Sequence, residues 1–288
     1  MVDAYDAFVM ARRAENVTGR TLDFYADKLH PFITWCTGHQ VATVGDVTAV
    51  TVRAYLLSLQ ARELAPWTVH GAARAMRAFL RFCAAEGLVD EAPAFKMPKL
   101  PKTILPAFDM GSVWRLVDAC DEDRDRLIVY VLLDTGVRAA ELCALDAGDV
   151  DERSGAVLVR QGKGRKDRTV YLGAKTRRDL VRYWRAHGRP ATGQAVFVSL
   201  TTGQRLTENG LRQLLRRIGD RAGVAHCHPH TFRRTFALFS LRSGMSIVHL
   251  QRLLGHEDLT VVRQYLALVE ADLQAAHQAA GPVDRLLR

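Results

Sequence analysis

The stretch His226-Cys-His-Pro-His-Thr-Phe-Arg-Arg-Thr-Phe236 opens an apolar helical run. That run ends in Leu253-Leu-Gly-His-Glu-Asp-Leu-Thr-Val-Val-Arg-Gln-Tyr265. His230 precedes Arg233 by three residues, Gly255 precedes His256, and Tyr265 stands nine residues beyond His256. Imidazoles, a guanidinium and a phenol in one segment suggest attack on a phosphate by tyrosine. His226, Cys227, His228 and His230 also admit a zinc reading. Those ligands are bunched at alternate positions with no matching second pair, which suits a tetrahedral site poorly.

The rest of the chain frames that segment. Its 288 residues allow two domains at roughly 100–200 residues each. With 48% hydrophobic residues a sizeable core forms, which excludes a disordered chain. The net charge is +9 and the pI about 9.6, which favours a polyanionic partner. Residues 1–100 carry 11 Lys/Arg against 10 Asp/Glu, and the remainder 29 against 21, so the excess sits almost wholly in the second part. The five cysteines are scattered and include no Cys-x-x-Cys pair, as in a reduced cytoplasmic protein. No apolar run approaches the roughly 20 residues of a membrane span. Asp3 and Asp6 break the pattern of a secretion signal.

Residues 1–91 read as a helical domain. A first helix covers Ala4 to Ala14, and a second begins near Thr18. Leu22, Tyr25, Leu29, Phe32 and Trp35 recur at steps of three and four, a buried stripe. Pro31 inside that run predicts a kink or break. Thr48 caps a third helix with Val52, Tyr55, Leu56 and Leu59 inward. Pro66 opens a fourth, and Gly87 suits the left-handed turn past its end. The fourth helix carries Val69, Ala73, Met76, Leu80 and Cys83 on one face. His70, Arg74, Arg77 and Arg81 lie on another, which is either a solvated basic face or a face laid against DNA.

Residues 92–106 contain Pro93, Pro98, Pro101 and Pro106 with Lys96, Lys99 and Lys102 between them, and read as an extended connector. Its lysines suit passage over a nucleic-acid backbone or simple solvation. Beyond it, residues 107–288 form a second domain. Asp109 caps a helix, and another runs from Arg124 to Asp134. Thr135-Gly-Val-Arg-Ala-Ala-Glu-Leu142 then turns sharply at Gly136, aiming Arg138 into a cleft or pairing it with Glu141 on the same helical face. Val157 to Val159 and Thr169 to Leu172 make a hairpin around a turn bearing Lys163, Arg165 and Lys166. The Ser/Thr that a Walker loop needs after its lysine is missing. Basic helices cover 174–187 and 207–222, the latter with Arg212 and Arg216, and Val196 to Val198 reads as a short strand.

Taken in order, Thr135-Gly-Val-Arg138 through Glu141-Leu142, Gly162-Lys163-Gly164, His230-Thr-Phe-Arg233, and Leu254-Gly-His256 with Tyr265 resemble the tyrosine recombinases, or phage-type integrases, and within them the Xer-like branch. The chain departs from the common pattern at Phe232, at Val261 and Val262, and in the run Leu266 to Leu268. None of these removes a catalytic group.

The resemblance implies a mainly α fold with a small β-sheet, built from a helical core-binding (SAM-like) domain and a catalytic domain that together clamp DNA in a C shape. It implies Arg138 and Arg233 as phosphate clamps, His230 and His256 as hydrogen-bonding partners with His230 also a proton acceptor, and Tyr265 as nucleophile. The covalent link would be to the 3′ phosphate, with Lys163 protonating the 5′ leaving oxygen and Glu141 orienting its neighbours. Neither metal nor other cofactor is implied, because arginines supply the positive charge.

The implied partner is double-stranded DNA with inverted-repeat core sites. A homotetramer would synapse two such sites, alone or with a paired recombinase, and exchange strands through a Holliday junction. A tail helix from about residue 270 would dock on a neighbouring protomer. The expected setting is the cytoplasm, at the nucleoid, with no membrane. Two other readings use the same residues: a type IB topoisomerase-like relaxing enzyme, and a non-catalytic DNA-binding protein on the same fold.

Overall fold

The computed structural model describes residues 1–101, 106–160 and 167–255. The chain divides into two compact units, residues 1–103 and 104–288. Helices dominate both, and the one regular sheet among the described residues has two strands. The mainly α fold with a small β-sheet is therefore as the sequence predicts.

The first unit packs α1 (Val2–Ala14), α2 (Gly19–Gly38), α3 (Ala49–Ala61) and α4 (Pro66–Ala85) around one core. Its helix starts follow the local chemistry. The Thr18 hydroxyl accepts from the Thr21 N–H, and the Thr48 hydroxyl from the Thr51 N–H, each satisfying an orphan donor. Phe8 sits at the centre of the core, edge-on to Tyr25, Phe79 and Phe82 at 4.9, 5.7 and 5.4 Å. Helix α4 buries Val69, Ala73, Met76, Leu80 and Cys83, the face read from its spacing.

Of the kink or break expected at Pro31, the break does not occur, because α2 runs unbroken from Gly19 to Gly38 with that proline inside. Pro31 and Asp27, whose carbonyl loses its helical donor, are both exposed, so water can satisfy that group. Burial of Leu29, Phe32, Ile33 and Cys36 holds the opposite face. The connector, too, is less free than its prolines suggest. Its described residues have no regular structure, but Phe95 and Met97 pack on the first core, and Arg77 donates to the Phe95 carbonyl at 2.6 Å.

The second unit contains α5 (Met110–Asp118), α6 (Asp123–Thr135), α7 (Ala139–Ala144), β1 (Ala156–Val159), β2 (Arg168–Tyr171), α8 (Ala174–His187), α9 (Glu208–Ala222), α10 (Pro229–Arg242) and α11 (Ile247–Leu254). Asp109, Thr207 and Ser246 cap α5, α9 and α11 through side-chain oxygens. Strands β1 and β2 are antiparallel, with Val159 opposite Arg168 and Val157 opposite Val170. A large core joins α5 through α10 to the hairpin, and a smaller cluster of Phe236, Ala237, Leu250 and Leu254 fastens α11 to α10.

The short strand expected at Val196 to Val198 is not present. Ala195 bridges Asp146 while Val198 bridges Arg205, so neighbouring residues bond to different segments and no ladder forms. Val196 and Phe197 are buried, which explains why apolar, β-prone residues stand there.

Candidate active site

Helix α6 ends at Thr135, and Gly136 carries the chain into the left-handed region with φ +59. A Cβ on Gly136 would collide with the Phe236 ring, so both conformation and space require glycine. The turn buries Val137 and sets Arg138 at the start of α7. Glu141, in the first turn of α7, reaches back to the Arg138 N–H through Oε2 at 2.7 Å. Its Oε1 accepts from Arg138 Nη1 at 2.6 Å. The sequence leaves two readings of Arg138 open, and the structure combines them. The residue pairs with Glu141, yet its side chain keeps 23% of its surface exposed.

A third residue, which the sequence reading passes over, completes this pair. Arg168, first in β2, donates Nη1 and Nη2 to the two Glu141 oxygens at 2.8 and 2.7 Å. Its Nε donates to the Leu253 carbonyl at 2.7 Å. Arg168 is one of several basic residues around the hairpin turn, and nothing in their spacing sets it apart. Burial alone would push the Glu141 carboxyl up. The Arg168 hydrogen bonds, the Arg138 N–H and the charges of both arginines outweigh it and bring the group down to about 2. The carboxylate is thus ionised at any physiological pH.

Helix α10 delivers His230 and Arg233, three residues apart on one side. Arg233 is buried and donates Nη1 to the Gly136 carbonyl at 2.6 Å and Nη2 to the Leu254 carbonyl at 2.5 Å. It therefore ties the turn before Arg138 to the end of α11. His230 is exposed at residue level. Loss of solvent around its ring, then the positive charges of Arg234, Arg233, Arg138 and Arg212, hold its pKa below the ordinary histidine value. A neutral imidazole beside guanidinium groups is suited to accept a proton. At the end of α11, Gly255 has φ +64, and a Cβ there would come within 3.0 Å of Arg168 Cδ.

Arg138, Glu141, His230 and Arg233 are therefore gathered by the α6–α7 turn and α10, with Arg168 and α11 bracing them. Lys163, His256 and Tyr265 lie outside the described residues. So do Lys102, Arg165, Lys166 and the tail from about residue 270. The zinc reading loses its donor set. Cys227 is buried, while His226 and His228 are exposed. Among the described residues no group of His, Cys, Asp or Glu is placed to hold a metal.

The basic residues assigned to DNA are unequal. Arg74 and Arg81 are exposed on α4, with Arg74 over the Phe24 ring at 4.6 Å. Arg77 is occupied by Phe95, through its carbonyl and its ring at 5.1 Å. His70 is half-buried beside the Trp67 edge. Lys99 and Arg216 are exposed, and Arg212 pairs with Glu208 at 2.9 Å. Among the described residues no helix is long and apolar enough to cross a membrane.

Comparison with known proteins places the chain in a family. The phage integrase family matches residues 108–271. The tyrosine recombinase XerA of Thermococcus kodakarensis is 32% identical over 245 residues, covering 84% of this chain and 86% of the relative. The tyrosine recombinase XerC of Oceanobacillus iheyensis is 31% identical over 293 residues, covering 96% and 95%. Among solved structures, a lambda integrase dimer bound to a COC′ core site shares the fold, with TM-score 0.76 at 19% identity over 92% of this chain and 94% of that one.

Proposed function

The chain belongs to the phage integrase family as a Xer-like tyrosine recombinase, and we propose that it breaks and rejoins DNA through a covalent 3′-phosphotyrosine at Tyr265. It is a tyrosine-type site-specific recombinase. The observation that carries the mechanism is the gathering of Arg138, His230 and Arg233 around one turn, with Arg233 bonded to both Gly136 and Leu254.

In the proposed reaction a DNA phosphate sits against Arg138 and Arg233, which hold its non-bridging oxygens. Preorganised donors of this kind are worth about 3–4 kcal/mol each in a transition state. His230 takes the phenol proton as the Tyr265 oxygen bonds to phosphorus. The bond from phosphorus to the 5′ oxygen breaks, and Lys163 protonates that oxygen. His256 adds a hydrogen bond to the phosphate, and Glu141 holds Arg138 in place. The 5′ hydroxyl of a partner strand then attacks the phosphotyrosine, reversing the step. Energy is conserved in the covalent bond, so no nucleotide is consumed, and the arginines supply the positive charge that a metal would otherwise bring.

Residues 107–288 would carry this chemistry, with residues 1–91 as a core-binding domain joined through 92–106. Arg74, Arg81, Lys99 and Arg216 are exposed and suit DNA phosphates. Two inverted-repeat core sites, a tetramer coupled by tails from about residue 270, and a Holliday junction complete the proposal.

A core site selected by binding from a random duplex library, placed twice in a supercoiled plasmid, tests it. Recombinant joints are expected. Relaxation without joints would indicate a topoisomerase, and binding without strand breakage a non-catalytic protein.

A further inference from the structure

We propose that Arg168 is a positioning residue for strand cleavage, holding Glu141, and through it the Arg138 guanidinium, in register with the C-terminal end of α11. The inference rests on the reading of this site as a tyrosine recombinase centre and adds a residue to it.

Arg168 does more than neutralise a carboxylate. Its two Nη atoms take both Glu141 oxygens, and its Nε takes the Leu253 carbonyl, so one planar group joins α7 and α11 to β2. Its side chain is 10% exposed and that of Glu141 is 6% exposed, so both are dry enough for these bonds to fix geometry. Glu141 Oε1 accepts from both arginines, at 2.6 Å from Arg138 and 2.8 Å from Arg168. The Arg138 guanidinium therefore rests on an anchor that Arg168 sets.

The charge balance points the same way. Two guanidinium groups share one carboxylate, which leaves one positive charge over. That charge is most accessible on Arg138, whose side chain is 23% exposed. A purely structural pair would need one arginine. Here Arg168 satisfies the carboxylate and leaves Arg138 oriented but not spent, as a phosphate clamp requires. Gly255 belongs to the same arrangement, since a Cβ there would come within 3.0 Å of Arg168 Cδ and 3.2 Å of its Nε. The residue that ends α11 makes room for the arginine that pins α11.

Lysine cannot copy this role. An ammonium is a point donor and does not span two carboxylate oxygens and a carbonyl in one plane. Arg168→Lys keeps the charge beside Glu141 and so separates geometry from neutralisation.

The test compares wild type, Arg168→Lys and the double variant Arg168→Gln/Glu141→Gln. The double variant removes arginine and carboxylate together, so no buried charge is stranded if the single variant fails to fold. Each is measured for thermal unfolding, for affinity to the selected core duplex, and for single-turnover cleavage of that duplex nicked next to the scissile phosphate. Folded Arg168→Lys should bind within about threefold of wild type yet cleave at least roughly 30-fold more slowly, a loss in the range of a misplaced catalytic donor. The double variant should cleave as slowly. Cleavage within about threefold of wild type by either folded variant would overturn the inference. So would losses of binding and cleavage in equal proportion. If wild type itself forms no covalent product, the recombinase reading fails instead, which is a separate result.

Discussion

Arg233 donates through Nη2 to the carbonyl oxygen of Leu254 at 2.5 Å, and so fixes the last residue of α11 to the N-terminal half of α10. Its Nη1 does the same for Gly136, 97 residues earlier in the chain. One buried guanidinium thus sets two of the backbone turns that surround the proposed phosphate site.

Arg233→Ala should therefore act twice. It leaves two buried carbonyls without a donor, which costs about 2–4 kcal/mol of stability. It also removes a proposed phosphate donor, which should lower cleavage by roughly 100-fold or more. Denaturant unfolding and single-turnover cleavage measure the two losses. Arg233→Lys should recover some stability but little cleavage, because an ammonium cannot serve both carbonyls and a phosphate.

The glycine turns give a graded series. Gly136 and Gly87 both have positive φ, but a Cβ at Gly136 strikes the Phe236 ring whereas one at Gly87 meets nothing within 4 Å. Gly87→Ala should cost about 1 kcal/mol from backbone strain alone. Gly136→Ala should cost at least about twice that and shift the Arg138 turn. Thermal melts of the two variants provide the comparison, and equal losses would argue against the close packing at Gly136.

Acid stability should report on Glu141. Its carboxyl is held down at about 2 in the folded chain, below an unfolded carboxylate near 4.3. A depressed carboxylate contributes stability that is present above the unfolded value and is lost as pH falls through the folded one. Unfolding free energy should thus decline between about pH 4.5 and 2 through this group. Glu141→Gln should flatten that part of the profile while lowering stability at neutral pH.

His230 should govern the acid side of the cleavage profile. Its pKa lies below the ordinary histidine value, so the imidazole is neutral at pH 7 and available as an acceptor. The cleavage rate should fall on the acid side, with its inflection below the ordinary histidine value. His230→Ala should remove the inflection as well as lower the rate. An inflection unchanged in His230→Ala would assign the proton acceptor elsewhere.

The basic face of α4 should divide. Arg74→Ala and Arg81→Ala remove exposed cations and should each weaken DNA binding and reduce the salt slope by about 1. Arg77→Ala should affect binding less and stability more, since its partner is Phe95 of the same chain. Affinity measured over a salt series, with melts of each variant, resolves the two classes.

Much of this architecture is legible in the sequence because it rests on local chemistry. Thr48, Pro66, Asp109 and Gly136 mark helix ends through side-chain oxygens, a fixed φ or a left-handed turn, and each stands where those rules place it. Pro31 does not break α2 because burial on the opposite face outweighs a missing N–H at an exposed position. Val196 to Val198 read as a strand because burial and β propensity look alike in a short apolar run. Arg168 is hidden for a different reason. Its worth lies in meeting Glu141, 27 residues away, and Leu253, 85 residues away, and no local pattern records such pairings.

The central claim is that Tyr265 becomes joined to DNA, and mapping the covalent adduct tests it most directly. Wild-type protein is incubated with the nicked core duplex, the trapped complex is digested with protease and nuclease, and the peptide bearing a nucleotide is sequenced by mass spectrometry. The account predicts a nucleotide 3′ phosphate on the Tyr265 oxygen, absent from Tyr265→Phe. A nucleotide on another residue, or equal trapping by Tyr265→Phe, would contradict it.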